Sequence, residues 1–551
     1  MQNTDSPSKP AMELDAVVVG AGFGGMYALH ILREAGLNVR SYDEADGVGG
    51  TWFWNRYPGA RVDYPGGPYY SYTFSEELVR EFEWPERNPD QATVLKYLNF
   101  VADRLELRGD IELGTRITGA VYDESAQRWD IETSKGAVVR AQFLVCATGA
   151  LSAAHIPQIP GLDGFEGECY HTGRWPSDKN VSFAGKRVGV IGTGSSGIQS
   201  IPVIAEQAAH LTVFQRTAQY TIPAGNRPTD PADVERAHEH WPEIRRIMKS
   251  TPIGSPVPAS TTSAHEHTPE QRRAVFEAAW KKGGLGGVLV ETYYDIVTDE
   301  EVNGWLADFV REKIRETVKD PATAEKLMPN YLIATKRQVQ DEGYYEAFNR
   351  DNVGLVDLRA EPIEEIIANG IRTGEREYEL DMIVFATGFD AITGALERIN
   401  PVGRDGVDLK QRWSERFNSY LGMTIPGLPN LFMIHGPESP CVLFNMPLGG
   451  ELESDWIRDC IVYLRENGLG AIEPGPGVDL AWAREVEEAA NETLFPKTDS
   501  WYTGANIEGK HRQFAVHMGG PAYFENLTRI AQEGYPGLVT EADSTELASA
   551  G

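Results

Sequence analysis

Two glycine-rich turns constrain this chain of 551 residues more than any other feature. Each has the form GxGxxG, follows an apolar run (AVVV or VGVI) and precedes a helical pattern. The turns consist of Gly20, Gly22 and Gly25, and of Gly192, Gly194 and Gly197. In such a strand–turn–helix unit the missing side chains let a pyrophosphate approach the helix N-terminus. We therefore predict an α/β protein with two Rossmann-like dinucleotide-binding domains and an inserted helical subdomain.

The residue at the end of the second strand of each unit distinguishes the two nucleotides. Asp43 holds this position in the first unit, where a carboxylate accepts hydrogen bonds from ribose hydroxyls. Arg216 holds it in the second, where a guanidinium attracts the 2′-phosphate that a carboxylate would repel. We therefore predict FAD at the first turn and NADPH at the second. The remaining predicted NADPH contacts around the second turn are Thr193, Ser195, Ser196 and Gln199.

Two dinucleotide sites in one chain suggest electron transfer from a nicotinamide to a flavin. A disulfide reductase is disfavoured, because the four cysteines form no CxxC pair, and we expect free buried thiols. They are Cys146, Cys169, Cys441 and Cys460. Paired histidines at i and i+2 do not share a helix face, so no metal site is predicted.

The net charge of −30 argues against nucleic acid and anionic membranes as partners. No run of about 18 apolar residues is present, and the start MQNTDSPSKP is polar. We expect a cytoplasmic protein that acts on small molecules, with no protein partner indicated.

The order of strand and helix patterns along the chain predicts a discontinuous first domain. The run LDMIVFATGFD echoes AQFLVCATGA, and each ends one nucleotide-binding half. The predicted divisions are a disordered tail (1–12), an FAD-binding domain (13–150 and 388–540), an NADPH-binding domain (151–225 and 331–387), a helical insert (226–330) and a second tail (541–551).

Two further motifs carry a resemblance to a known family. The connector between the two units matches FxGxxxHxxxW followed by Pro, at Phe165, Gly167, His171, Trp175 and Pro176. The stretch after the first unit matches GGxWxxxxYPGxxxD, at Gly49, Gly50, Trp52, Tyr57, Pro58, Gly59 and Asp63. With both motifs in order, the chain resembles the type I Baeyer–Villiger monooxygenases, which are class B flavoprotein monooxygenases. The resemblance extends over nearly the whole chain.

The resemblance implies a reaction. NADPH reduces FAD, O2 adds to the reduced flavin, and the resulting flavin (hydro)peroxide attacks a ketone to give a tetrahedral adduct that rearranges to an ester or lactone. It implies that Arg337 is the cation beside the developing negative charge, with Asp63 holding its guanidinium and Trp501 binding the nicotinamide nucleotide. Without the flanking motifs, a structural salt bridge between Arg337 and Asp63 would be the preferred interpretation.

Other contacts are carried over from the family by position. Lys336 and Thr217 are expected beside Arg216 at the 2′-phosphate. Further expected FAD contacts are Thr51, Trp52, Tyr69, Ile117 and Met446. His171 is interpreted as part of a hinge or brace between the two halves, since it lies in the connector and away from Arg337 in the sequence.

Two alternatives remain open from the sequence. A related flavin monooxygenase that oxidises nitrogen or sulfur would use the same cofactors, and a non-catalytic FAD/NADPH redox sensor would need no substrate pocket.

Overall fold

The computed structural model describes residues 12–64, 66–374 and 376–540. The predicted tails at 1–11 and 541–551 lie outside the described residues. Met12, predicted as the last tail residue, instead begins the first strand, because it pairs with Val139 on a neighbouring strand.

The strands belong to two large parallel or mixed sheets and three small ones. In chain order they are β1 Met12–Val19, β2 Val39–Tyr42, β3 Ile111–Glu112, β4 Ile117–Asp123, β5 Arg128–Thr133, β6 Val138–Cys146, β7 Glu168–His171, β8 Arg187–Ile191, β9 His210–Gln215, β10 Thr221–Pro223, β11 Val339–Asp341, β12 Val353–Asp357, β13 Ile363–Ile367, β14 Gly370–Thr373, β15 Arg376–Glu379, β16 Met382–Phe385, β17 Leu431–Met433, β18 Ile472–Pro474 and β19 Leu538–Thr540.

The helices flank these sheets and fill the long segment between β10 and β11. They are α1 Phe23–Glu34, α2 Thr51–Trp54, α3 Glu76–Glu81, α4 Gln91–Arg104, α5 Ser195–Gln207, α6 Pro231–Ser250, α7 Pro269–Lys282, α8 Glu300–Thr317, α9 Pro321–Lys326, α10 Tyr344–Ala347, α11 Gly394–Ile399, α12 Leu409–Arg412, α13 Met446–Glu466, α14 Val478–Asn491 and α15 Gly520–Gln532. No described helix is both long and apolar enough to cross a membrane.

The first large sheet has the order β3-β2-β1-β6-β5-β4, with β17 also paired to β6. The β1–β2 and β1–β6 pairs are parallel, as the predicted βαβ unit requires. Because β17 comes from residues 431–433, the chain returns to this sheet after leaving it. This return agrees with the predicted discontinuous domain, whose exact bounds stay a prediction.

The second large sheet has the order β12-β9-β8-β16-β7. All its pairs are parallel, and β16 lies between β8 and β7. Cys169 lies on the edge strand β7 and is exposed, so the expectation of buried thiols is wrong for it. Cys146, Cys441 and Cys460 are free and buried, as expected.

The helices of the segment 226–330 divide between two cores. Trp241 and Met248 of α6 pack into the core shared by α1 and α13, on the first sheet. Phe276 of α7 and Leu306 of α8 pack into the core that contains the second sheet. The predicted helical insert is therefore helical, and it packs against both nucleotide-binding halves.

Candidate active site

A cavity of 1230 Å³ is lined by residues of both nucleotide-binding units. Most residues predicted to contact a cofactor or substrate line it. These are Gly20, Gly22, Asp43, Thr51, Trp52, Asp63, Ile117, Met446, Gly192, Thr193, Gly194, Ser195, Ser196, Gln199, Arg216, Thr217, Lys336, Arg337 and Trp501. Gly25, Gly197 and Tyr69 are not among the lining residues. The cavity thus brings residues from distant parts of the chain to one place.

The first and third glycines of each turn shape the backbone. Gly20 and Gly192 have φ angles of 112° and 107°, a region that side chains disfavour. A Cβ on Gly25 would lie 1.8 Å from the carbonyl oxygen of Gly20. A Cβ on Gly197 would lie 2.3 Å from that of Gly192. Gly25 and Gly197 therefore act by close packing of the turn rather than by lining the cavity.

The middle glycines leave room for a ligand. A Cβ on Gly194 would meet no atom within 4 Å, and one on Gly22 would come no closer than 3.4 Å to Gly50. Both residues are the N-caps of their helices, α5 and α1, and provide no side-chain acceptor for the first N–H groups. Uncapped N–H groups beside open space form an anion site at each helix start. This arrangement fits the pyrophosphate of a dinucleotide at both turns.

Asp43 is buried and already hydrogen-bonded at the end of β2. Its carboxylate accepts from the backbone N–H groups of Ala21, at 2.7 Å, and Ala45, at 2.8 Å. Burial raises the pKa of Asp43, and these two hydrogen bonds act in the opposite direction. The carboxylate therefore fixes the first glycine turn and also lines the cavity, where its contact with a ribose stays a prediction.

Three cationic side chains line the cavity near the end of β9, in the second unit. Arg216 follows β9 and Arg359 follows the neighbouring parallel strand β12, where Leu358 N–H donates to the carbonyl of Gln215 at 2.8 Å. Both arginines and Lys336 line the cavity. Burial first, and then the charges of Arg216 and Arg359, lower the pKa of Lys336. The set favours an anion such as a 2′-phosphate.

Arg337 and Asp63 form a bidentate ion pair on the cavity wall. The Nε of Arg337 donates to Asp63 Oδ2 at 2.9 Å, and its Nη2 donates to Oδ1 at 2.7 Å. Its Nη1 donates to the carbonyl oxygen of Val442 at 2.9 Å. Burial alone would lower the pKa of Arg337, but the Asp63 carboxylate outweighs it and the pKa rises. Arg337 is therefore a fixed, permanent cation, and both side chains remain 27% exposed.

Tyr69 does not line the cavity, whereas its neighbour Tyr70 does, and the expected contact of Tyr69 with FAD stays a prediction. Tyr69 ends a short 3-10 turn and its ring stacks on Trp241 of α6, 6.4 Å away. The hydroxyl oxygen of Tyr70 accepts from Trp52 Nε1 at 3.2 Å. In this tight turn, neighbouring rings point to different sides, so Tyr70 faces the cavity and Tyr69 faces Trp241.

Trp501 lines the cavity from a short turn capped by Ser500, whose hydroxyl accepts from Tyr502 N–H at 3.2 Å. The same segment is joined to the chain near Arg337, because Thr335 Oγ1 donates to Thr498 Oγ1 at 2.7 Å. The Trp501 and Tyr502 rings lie 4.3 Å apart. A side-chain hydrogen bond thus ties the segment that carries Trp501 to the segment that carries Arg337.

The connector carrying FxGxxxHxxxW contacts both halves. Trp175 N–H donates to the carbonyl of Trp54 at 3.2 Å, and Arg174 lies over the Trp54 ring. Thr172 shares a hydrogen bond of 2.9 Å with Ser196 of α5. His171 is buried, its Nδ1 accepts from Gly173 N–H at 3.0 Å, and burial lowers its pKa to about 4. These contacts agree with the brace interpretation, which stays a prediction.

Tyr70, Arg359 and His435 are among the cavity-lining residues that sequence reasoning did not assign to the site. Arg359 comes shortly after the apolar run VGLV, which is a detectable strand pattern, but its nearness to Arg216 depends on the sheet order. His435 follows β17 outside any recognised motif, so the sequence contains no local signal for it.

Comparisons with known proteins agree with this geometry. The flavin-binding monooxygenase-like family model matches residues 15–237. A Baeyer–Villiger monooxygenase of Pseudooceanicola batsensis is 44% identical, with 98% of each chain covered. A phenazine N-monooxygenase of Lysobacter antibioticus is 42% identical, with 97% of this chain and 98% of the relative covered.

The fold has solved counterparts as well. The structure of an oxidised steroid monooxygenase bound to NADP superimposes with a TM-score of 0.90 and 48% identity, over 96% of this chain and 99% of the other. Nearly full coverage at this identity extends the relationship to both nucleotide-binding halves and the helical segment. The chain belongs to the Baeyer–Villiger monooxygenase family of flavin-dependent oxidoreductases.

Proposed function

We propose that this enzyme uses NADPH and O2 to convert ketones to esters or lactones, with FAD at the first glycine turn and NADPH at the second. The observation that supports it most is the Arg337 cation, held by Asp63 on the wall of a cavity that both turns share. Family membership supports the cofactors, since the matching family is flavin-binding and a related structure contains NADP.

Each cofactor would bind to residues that suit it. The helix N-termini after Gly22 and Gly194 would hold the two pyrophosphates, and Arg216, Thr217 and Lys336 would hold the 2′-phosphate. When bound, NADPH supplies a hydride to FAD, and the reduced flavin with O2 supplies one oxygen atom to the substrate. The residues of this chain orient the two cofactors and stabilise charge.

Arg337 is suited to stabilise the negative charge that forms when the carbonyl carbon of a ketone is attacked. Attack on a ketone carbonyl places negative charge on its oxygen, and a guanidinium stabilises that charge without releasing a proton. Asp63 keeps the guanidinium plane fixed through three hydrogen bonds from Nε and Nη2, and the carbonyl of Val442 fixes the remaining nitrogen. A preorganised cation needs no rearrangement when the charge develops.

A second candidate is oxidation of a nitrogen atom, which the 42% identity to a phenazine N-monooxygenase favours. Such a substrate carries its own lone pair and develops no carbonyl oxyanion, so it depends less on Arg337. A cytoplasmic location and the expected lack of macromolecular partners remain predictions from sequence.

The test is product formation by purified, FAD-loaded enzyme with NADPH, air and separate panels of ketones and aromatic nitrogen heterocycles. We expect ester or lactone from at least one ketone, detected by mass spectrometry. Arg337→Ala is expected to lower that rate about 100- to 1000-fold while flavin reduction by NADPH persists. N-oxide alone would favour the second candidate.

The matched control is Arg140→Ala. Arg140 makes a similar bidentate pair with Asp130, at 2.7 and 2.6 Å, but does not line the cavity. Its loss is expected to leave ester formation unchanged. Ester formation at the wild-type rate by Arg337→Ala would refute the role proposed for Arg337.

A further inference from the structure

A buried acid–base pair lies in the cavity wall, apart from Arg337. His435 follows β17 and lines the cavity, and Glu453 lies behind it on α13. The backbone N–H of His435 donates to Glu453 Oε2 at 2.7 Å, and the ring Nδ1 of His435 lies 3.4 Å from the same oxygen. The relative exposure is 8% for His435 and 1% for Glu453. The mechanism above uses neither side chain.

The hydrogen bonds of His435 fix where its ring proton lies. Nε2 is 2.9 Å from the carbonyl oxygen of Met446, and a carbonyl only accepts, so Nε2 carries a hydrogen. In a neutral ring, Nδ1 is then an acceptor that faces the carboxyl oxygen of Glu453. Two acceptors repel each other unless one proton lies between them. Nδ1 has no hydrogen-bond partner in the part of the chain that the structure describes, so a proton on Glu453 that closes this 3.4 Å contact would remove the repulsion between the two acceptors.

The surroundings of Glu453 favour the uncharged form of the pair. Its neighbours are Ser439 and Tyr523, with His435 and the Cys441 thiol on the loop before α13. Among the described residues, no lysine or arginine forms an ion pair with Glu453, so a carboxylate there would be buried without a cation. Burial raises the pKa of Glu453 to about 8 and lowers that of His435 to about 4.

The pair lies where the first glycine turn meets α13. A Cβ on Gly450 of α13 would lie 3.1 Å from His435 Nε2 and 3.6 Å from the Cα of Gly24. His435 has a φ of 56°, an uncommon conformation for a residue with a side chain, and such conformations concentrate at functional sites. His435 thus has an unfavourable backbone conformation at the position where its ring contacts the Met446 carbonyl and the Glu453 carboxyl group.

We propose that His435 and Glu453 hold one proton between them and keep the wall beside the flavin uncharged, and that loss of this proton makes the bound flavin harder to reduce. The proposal rests on FAD binding at the first turn. In the step, Glu453 releases a proton to solvent and becomes a carboxylate, with no redox change of the pair. A new negative charge near the cavity disfavours the gain of electrons by the flavin.

The test compares the reduction potential of bound FAD in wild type, Glu453→Gln and Glu438→Gln across neutral and alkaline pH. Glu438 is a matched control, because it is fully buried on the same loop, its pKa is raised to about 8 by burial, and its carboxylate accepts from Ser419 rather than from the cavity-lining His435. In wild type we expect the potential to fall more steeply above the pKa of Glu453. Glu453→Gln should lack this step, and Glu438→Gln should keep it.

Two results would overturn the proposal: a step that persists in Glu453→Gln, or a step that disappears equally in Glu438→Gln. If Glu453→Gln does not fold, His435→Asn replaces it, since asparagine tolerates a positive φ and removes the ring acceptor. His435→Asn should shift the step to a different pH, and an unshifted step would overturn the proposal.

Infrared spectroscopy of the protein without cofactor separates this idea from the proposed function. A protonated carboxyl of Glu453 contributes a carbonyl-stretch band at neutral pH that Glu453→Gln lacks. Presence of that band supports the shared proton even in a preparation that fails to oxidise any ketone. An identical spectrum in this band for wild type and Glu453→Gln would refute the shared proton even in an active enzyme.

Discussion

The two glycine turns have nearly the same backbone but opposite surroundings. Gly20 and Gly192 share a similar positive φ, and the third glycine of each turn packs against the carbonyl of the first. At the strand end, however, Asp43 is buried and bonded to two backbone N–H groups, whereas Arg216 is exposed. The turns thus share one backbone shape and differ in the side chain at the strand end, and we expect that side chain to decide which nucleotide binds.

The two turns also differ in how extensively each is joined to the protein core. The first turn is joined to the largest core through α1, α13 and the strand β17, which returns late in the chain. The second turn presents exposed cations at the cavity. This difference in core contacts is what an enzyme that retains FAD and exchanges NADPH would need. The ion pair of Asp63 with Arg337 joins the two halves.

The largest expected effect comes from closing either turn. Gly25→Ala should destabilise the enzyme by about 3 kcal/mol and abolish FAD retention, because its Cβ would overlap the Gly20 carbonyl. Gly197→Ala should instead spare FAD and abolish reduction by NADPH. Denaturant unfolding measures the stability of each variant, the ratio of flavin to protein measures FAD retention, and loss of flavin absorbance on adding NADPH measures reduction. Gly304→Ala, on α8 with no atom within 4 Å of its Cβ, is the control. Equal loss of FAD in both turn variants would contradict the assignment of FAD to the first turn and NADPH to the second.

A smaller effect is expected from the cation at the second strand end. Arg216→Ala should weaken NADPH binding roughly 10- to 100-fold, which corresponds to one charge-assisted hydrogen bond of about 1.5–3 kcal/mol. Binding of NADH, which lacks the 2′-phosphate, should hardly change. Kd values from fluorescence titration give the comparison. An equal loss for NADH and NADPH would mean that Arg216 acts on the fold rather than on the phosphate.

Sequence motifs predicted the parts of the site whose geometry is local. Both turns require glycine for reasons visible in the sequence, and the family motifs predicted that Asp63 and Arg337 meet although 274 residues separate them. Their roles stay predictions. A single 3-10 turn decides that Tyr70 rather than Tyr69 lines the cavity, and the sequence pattern does not show this turn.

Other parts of the site depend on long-range packing that no short motif records. Arg359 reaches the cations at Arg216 only because β12 pairs with β9. His435 meets Glu453 because β17 joins the first sheet and α13 crosses behind it. Such contacts require the sheet order and helix placement, which composition and periodicity do not supply.

The smallest effect is expected from a variant that tests whether the ligand occupies the open space beside the second turn. Gly194→Ala adds a Cβ that meets no atom within 4 Å, so unfolding free energy should change by only a few tenths of a kcal/mol. NADPH affinity should nevertheless fall several-fold, because the methyl group occupies space at the start of α5 where a pyrophosphate approaches. Affinity for NADH should fall equally, since both nucleotides share the pyrophosphate, in contrast to Arg216→Ala. Unchanged affinity for both would show that the pyrophosphate lies elsewhere, and the resemblance between the two turns would then be one of backbone shape alone.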